Sequence, residues 1–206
     1  MDRNNAFFYV SFRDALRDSR GLGEDWLLRI IAQFTCAPNS DVEHFLKHNA
    51  IDFTKKDQSV TYFVFPKDDI ADGFSDATLP VSYFTVTTKP LIIQSSDIPS
   101  NTIRRKIERI CRLDESKQNY TMSAYLVAQL GKNYRNGLNE LITGDELLNA
   151  ALNLSRQAQY LVGGTVVFVE TEDNEKLIDF YVHNGFHLLA THSMNNNELV
   201  QMFRII

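Results

Sequence analysis

The stretch with the clearest chemical potential begins at the apolar run Tyr125-Leu126-Val127-Ala128-Gln129-Leu130. It reads as a strand leading into a polar loop, residues 131–143, and a helix that opens at Gly144. That order presents free backbone N–H groups and the positive end of a helix dipole to an anion. Gly144 would let a phosphate approach the backbone closely. The competing reading is that Gly137 and Gly144 only shape a surface loop. A second feature is a run of cations: Arg104, Arg105, Lys106, Arg109 and Arg112 surround an Ile103-Ile107-Ile110 stripe in a predicted helix over residues 100–112. Such a face either holds an anionic partner or is solvated, with Glu108 offsetting part of the charge. No Gly-x-Ser-x-Gly, Cys/His or paired-carboxylate pattern competes. His183, His187 and His192 lack metal-ligand company, and Cys36 and Cys111 fit no ligand spacing, so no metal is expected.

These residues must be carried by a mixed set of elements. Residues 3–32 read as one or two amphipathic helices broken at Gly21-Leu22-Gly23, with Trp26, Leu27, Ile30 and Ile31 as a buried stripe. A helix through Val42, Phe45, Leu46 and Ala50 is capped by Asp41 or Ser40. Strands follow at Val60 to Phe65, over residues 80–88 with a short extension at Leu91-Ile92-Ile93, and from Tyr120 to Leu130. A turn and loop with Lys67-Asp68-Asp69, Gly73 and Ser75-Asp76 separates the first two. Then come a helix over residues 144–160, a buried strand from Thr165 to Glu170, a short helix from Asp173 to Tyr181 closed by Asn184-Gly185, and a hairpin from Phe186 to Ile205 turning at residues 194–197. The order implies an α/β (α+β) fold, a mixed central sheet with helices on both faces.

Composition sets the outer bounds. The chain has 206 residues, 44% hydrophobic and 23% charged, with a net charge of −5. That suits one domain, or one domain with an extension, and any nucleic-acid partner must use a local patch. No apolar run approaches the ~20 residues of a membrane span. Residues 1–5 show no signal-peptide pattern, and the two cysteines read as reduced thiols, so a cytoplasmic setting is expected.

With these residues in view, the chain from about Phe34 onward resembles the GNAT superfamily of N-acetyltransferases. Val166 to Glu170, then Asn174, Leu177, Phe180-Tyr181 and Asn184-Gly185-Phe186, matches that family's strand followed by N-x-x-x-x-x-[FY]-Y-x-x-x-G-F. The resemblance implies a sheet splayed at the cofactor site, with acetyl-CoA as cosubstrate. It implies that Asn174 binds the CoA arm and that Tyr181 protonates the departing thiolate. The family's pyrophosphate loop, Q/R-x-x-G-x-G/A, is matched only in part. Tyr134-Arg135 resembles its entry and Gly144-Asp145-Glu146 its exit, but the loop is about four residues longer than usual. Counted back from Gly144, Asn139 takes the Q/R place and Ile142 the first glycine's. A remodelled loop is therefore expected, with Gln129, Leu130, Tyr134, Arg135, Asn139, Thr143, Gly144 and Asp145 as its cofactor contacts. Phe34-Thr35-Cys36, the Phe45-Leu46 helix and Ala50 further resemble the GNAT toxins that acetylate aminoacyl-tRNA, which carry a basic segment where this chain has Ile103 to Arg112. The greater length and overall acidity depart from that pattern.

For such a transfer the amine must be neutral, the carbonyl polarised, the reactants aligned and the thiolate protonated. A strand end at Gln129-Leu130 lends a backbone N–H to a developing oxyanion. A tyrosine suits the acid, because its ordinary pKa, about 10, is near that of an alkyl thiol. Glu43, His44, Glu170 and a water chain remain open as the base. The expected domains are a helical extension over 1–33, packed on an acetyltransferase domain over 34–206, as monomer or homodimer. The acceptor is a primary amine on a small molecule, a protein or a charged tRNA. The alternatives are a CoA-binding regulatory domain with little turnover and the toxin of a toxin–antitoxin pair.

Overall fold

Aromatic and β-branched runs place the first strands. In the computed structural model, which describes residues 6–17, 22–70, 73–74, 78–194 and 197–206, the chain forms two compact units. One comprises Met1–Thr87 with Ala128–Ala151, the other Thr88–Val127 with Leu152–Ile206.

The first unit opens with a strand, β1 (Phe7–Ser11), followed by α1 (Phe12–Arg17) and α2 (Glu24–Ala32). The one or two helices expected over residues 3–32 are α1 and α2, but Phe7–Ser11 is a strand instead. Phe7-Phe8-Tyr9-Val10 favours a pleated surface, and β1 pairs antiparallel with β2 (Val60–Pro66) from Phe7↔Pro66 to Ser11↔Tyr62. Between them lie α3 (Ser40–His48) and α4 (Ala50–Lys55), two helices where one was expected. Asn39, rather than Asp41 or Ser40, caps α3, its side chain accepting from the Asp41 and Val42 N–H groups at 3.0 Å. β2 pairs antiparallel with β3 (Ser82–Gln94), a single 13-residue strand that absorbs the expected extension at Leu91. The core of this unit is aromatic: Phe12 lies 4.7 Å from Phe63 and Phe34 5.3 Å from Tyr83, ring centre to ring centre, with Trp26, Leu27, Ile30 and Ile31 buried from α2. Each such buried side chain contributes about 1.5–3 kcal/mol. Gly21 and the expected loop residues Ser75-Asp76 lie outside the described residues.

The second unit contains α5 (Asn101–Glu108) and the two-residue β4 (Leu113–Asp114), which pairs with β5 (Asn119–Lys132). The helix is shorter than the residues 100–112 expected: Arg109 is its C-cap, and the Ile110 and Cys111 N–H groups both donate to the Ile107 carbonyl. After α6 (Gly144–Val162) come β6 (Val166–Glu172), α7 (Glu175–His183), β7 (His187–Met194) and β8 (Asn197–Ile205). The turn residues Asn195 and Asn196 lie outside the described residues. β5 and β6 are parallel at Tyr125↔Val167 and Leu126↔Phe168, and β6, β8 and β7 continue antiparallel. The hydrogen-bonded order is β1-β2-β3-β5-β6-β8-β7. This is the mixed, open α+β sheet that the sequence implied. Val166, Val167, Phe168, Met202 and Phe203 are buried on β6 and β8, and Ile103 and Ile107 on α5.

Candidate functional site

In the first unit, β5 runs two residues beyond the expected strand end, so Gly131 and Lys132 belong to the strand rather than the loop. Gln129 and Leu130 are half-buried near its end. Gly131 is required there by contact: a Cβ would stand 2.5 Å from Tyr83 Cε1 and 2.6 Å from Val42 Cγ1. The Tyr83 hydroxyl donates to the Val42 carbonyl at 2.6 Å.

The chain leaves the strand through Asn133, which is fully buried. Its Oδ1 accepts from the Thr35 N–H at 3.2 Å and the Arg135 N–H at 3.1 Å. Its Nδ2 donates to the Pro80 carbonyl at 2.9 Å. Its own N–H donates to the Val81 carbonyl, and the Tyr134 N–H to the Thr35 carbonyl, both at 2.8 Å. One amide therefore fixes the start of the loop against both the Thr35 connection and the entry to β3. A lone asparagine after a strand carries no signal of burial, so this role of Asn133 is not legible in the sequence.

Tyr134 and Arg135, the expected loop entry, are exposed. A 3₁₀ turn, Arg135–Leu141, is broken by Asn136 and Gly137 in the left-handed region, at φ 52° and 77°. Glycine adopts that region freely and asparagine tolerates it. Asn139 is half-buried in this turn. Ile142, at the family's glycine position, is buried, so the loop is anchored by packing where a glycine would let a phosphate in.

The helix that follows closes its own N-terminus. The Thr143 N–H donates to Glu146 Oε2 at 2.8 Å, and the Glu146 N–H donates to Thr143 Oγ1 at 3.1 Å. This reciprocal capping box occupies two of the N–H groups an anion would use and places a carboxylate there. Asp145 and Glu146 both stand in the first turn, where the helix dipole favours negative charge. The Thr-x-x-Glu spacing of this box is legible in the sequence.

In the second unit, Asn174 is the N-cap of α7. Its side chain accepts from the Lys176 N–H at 3.0 Å, while the residue is exposed. Tyr181 lies seven positions on, on the same helix, 9% exposed, with Phe180 and Phe186 rings 5.0 and 5.4 Å away. Burial pushes its hydroxyl up to about 12, so it holds its proton at neutral pH. Gly185 follows at φ 77°, in the left-handed position that ends such helices.

The basic segment divides into two kinds of cation. Arg104 is tied to the Ser95 hydroxyl and carbonyl, each at 2.8 Å, and Lys106 lies 2.9 Å from His187 Nε2. Desolvation and the neighbouring Lys106 hold His187 below the ordinary histidine value, which suits a neutral ring accepting from the ammonium. Arg105, Arg109 and Arg112 are exposed, the last two beyond the helix.

Among the open candidates for the base, Glu43 is held below the ordinary carboxylate range, first by the Cys36 N–H at 2.6 Å and then by Lys47 at 2.5 Å. Glu170 faces Lys89 at 3.3 Å and Gln201 Nε2 at 3.3 Å. His44 is exposed, its ring 4.4 Å from that of His48. Cys36 and Cys111 are both free thiols. Among the described residues, no group of three or more His, Cys, Asp or Glu could hold a metal, and no helix is long and apolar enough to cross a membrane.

No protein-family model matches the sequence, and no curated protein sequence matches it. The fold does have solved counterparts. A tyrosine-to-phenylalanine mutant of KacT superposes with a TM-score of 0.63 at 17% identity, over 98% of this chain and 95% of that one. AtaT complexed with acetyl-methionyl-tRNAfMet gives 0.58 at 18%, over 94% and 93%. A tyrosine-to-phenylalanine mutant of the toxin AtaT, bound to the C-terminus of the antitoxin AtaR and acetyl-CoA, gives 0.60 at 17%, over 98% and 94%. The chain thus shares, over nearly its whole length, the fold of KacT and of the toxin AtaT.

Proposed function

We propose that this chain is an acetyl-CoA-dependent N-acetyltransferase whose acceptor is the amine of a charged tRNA, acting in the cytoplasm as the toxin of a toxin–antitoxin pair. The observation that carries the reading is the likeness to AtaT along 94% of the chain, in a structure that holds an acetylated aminoacyl-tRNA. A small-molecule or protein amine is the weaker reading, because nothing comparable supports it.

Residue roles follow from the sequence resemblance and the local geometry. Residues 34–206 carry the chemistry. The backbone at Gln129 and Leu130 polarises the thioester carbonyl. Tyr134, Arg135, Asn139, Thr143, Gly144 and Asp145 line the pyrophosphate loop, and Asn174 contacts the CoA arm through the part of its amide not used in capping. The amine attacks the carbonyl carbon, the C–S bond breaks as the C–N bond forms, and Tyr181 gives its proton to the sulfur. A hydroxyl raised by burial is fully protonated when that proton is needed. Glu43 and Glu170 are engaged by cations, so His44 or water is the better choice of base.

Arg105, Arg109 and Arg112 supply the contacts to the tRNA phosphates, and Arg104 and Lys106 hold the segment in place. The test is transfer of label from acetyl-CoA to aminoacyl-tRNA, run beside small amines and peptides. A regulatory domain would bind acetyl-CoA and acetylate none of them.

A further inference from the structure

His44 and His48 stand four residues apart on α3, so they share one face of the helix. Both are exposed, and their ring centres lie 4.4 Å apart with the planes tilted by 41°. The helix is intact beneath them, from the Asn39 cap to the Asn49 N–H, which donates to the Phe45 carbonyl at 2.9 Å. The two rings line an open cavity of about 310 Å³ together with Cys36, Ser40, Glu43 and Lys47. The charge of Lys47 is balanced there, because Glu43 Oε1 holds its ammonium at 2.5 Å. α3 ends at His48, and the carbonyl end of a helix favours a cation.

We propose that His44 and His48 chelate a divalent transition-metal ion of the Zn²⁺ class, one ring nitrogen from each. Such an ion holds an imidazole nitrogen at about 2.0–2.1 Å. Two nitrogens at a right angle on one ion are then about 3 Å apart, and the centres of their rings about 4.5 Å. The separation of the two rings matches that spacing. Imidazole suits zinc, nickel and copper, whereas Mg²⁺ and Ca²⁺ take oxygen ligands. Cys36 lies in the same cavity wall, but it is buried and burial pushes its thiol up, so it does not offer the thiolate a metal needs. Two imidazoles are the protein's share, and water fills the remaining positions. The result is a site that loads and empties rather than a resident metal centre. An ion bound there takes the lone pair that His44 needs to act as a base, so loading the site withdraws that residue from any such role.

Calorimetric titration of the full, untagged chain with ZnCl₂ and with NiCl₂ tests this, after treatment with EDTA and its removal. One ion binds per chain, with a dissociation constant in the micromolar range. His44→Gln and His48→Gln each weaken binding by at least about tenfold, the lower bound seen when even an outer-shell partner of a ligand is lost. Without metal, both variants melt as the parent does, since both side chains are exposed. With Zn²⁺ the parent's melting temperature rises and those of the variants rise less, because the pair is assembled only in the folded helix. A parent that takes up neither ion at about 200 μM overturns the proposal. So does binding that neither variant weakens, which would place the ion on a free thiol or another histidine. Mg²⁺ binding as tight as that of Zn²⁺ would overturn it as well.

Discussion

In the proposed reaction Tyr181 is the acid, and its surroundings give two separate measurements. Tyr181→Phe keeps the ring between Phe180 and Phe186 and removes only the hydroxyl. CoA affinity should stay within a factor of about two, while turnover falls by roughly 10²–10⁴, as for a lost acid–base group. Stopped-flow or labelled-acetyl assays at saturating acetyl-CoA measure this. A rate equal to the parent's would make Tyr181 a packing residue. The second measurement is pH-dependent stability. The folded tyrosine loses its proton at about 12, against 10.0 unfolded. The unfolded chain therefore releases this proton first, and stability present below pH 10 is lost as pH rises toward 12. Tyr83 is raised in the same direction by burial, so the parent's total loss has more than one source. The difference between parent and Tyr181→Phe isolates Tyr181, at up to ~1.4 kcal/mol per pH unit. Urea melts between pH 9 and 12 read it directly. Equal slopes would place the hydroxyl in water. At the start of α6, Glu146→Gln keeps an acceptor for the Thr143 N–H and removes the charge. If a pyrophosphate binds there, calorimetry should show CoA affinity rising severalfold. No change would move the phosphate elsewhere.

At the scale of elements, the sequence was readable where the chemistry of an end is local. The start of α6 at Gly144, the strand before α7 and the Gly185 stop lie at or within a residue or two of where the residues predict them; the helix start is set by the Thr143–Glu146 capping box and the stop by a left-handed glycine. The largest misreading has its deciding partner distant in sequence. β1 is a strand because β2 lies beside it, and the local β-preference of Phe7-Phe8-Tyr9-Val10 is too short a signal to mark a strand without that partner. α5 stops at Glu108 with no glycine or proline near, where the chain turns into β4. The remodelled loop was legible as a departure, and the reason for it, Ile142 in the core and Asn133 fully buried, was not. Two predictions belong here. Gly131→Ala forces a Cβ against Tyr83 and Val42. It should cost about 1–3 kcal/mol, read in a denaturant melt, as overpacking does. For the basic segment, Arg105→Ala with Arg109→Ala should reduce the log–log salt slope of tRNA affinity by about one to two, roughly one per lost phosphate contact. Arg104→Ala should instead lower the melting temperature, because its guanidinium holds Ser95. If Arg104→Ala alone changes the slope, the division between holding and contacting cations fails.

At the scale of the whole molecule, an acidic chain of net charge −5 would have to engage a polyanion through a small exposed set of arginines. That arrangement makes binding local and steeply salt-dependent. The same fold is seen in AtaT with an acetylated aminoacyl-tRNA and with an antitoxin segment. Transfer is therefore the property to measure first. Purified chain, acetyl-CoA labelled in the acetyl group, and a set of charged and uncharged tRNAs are incubated at low salt. Label is then followed on the aminoacyl group, with Tyr181→Phe in parallel. The account predicts label on charged tRNA only, greatly reduced in the variant. Acetyl-CoA binding without transfer to any charged tRNA, or label appearing equally on uncharged tRNA, would contradict it.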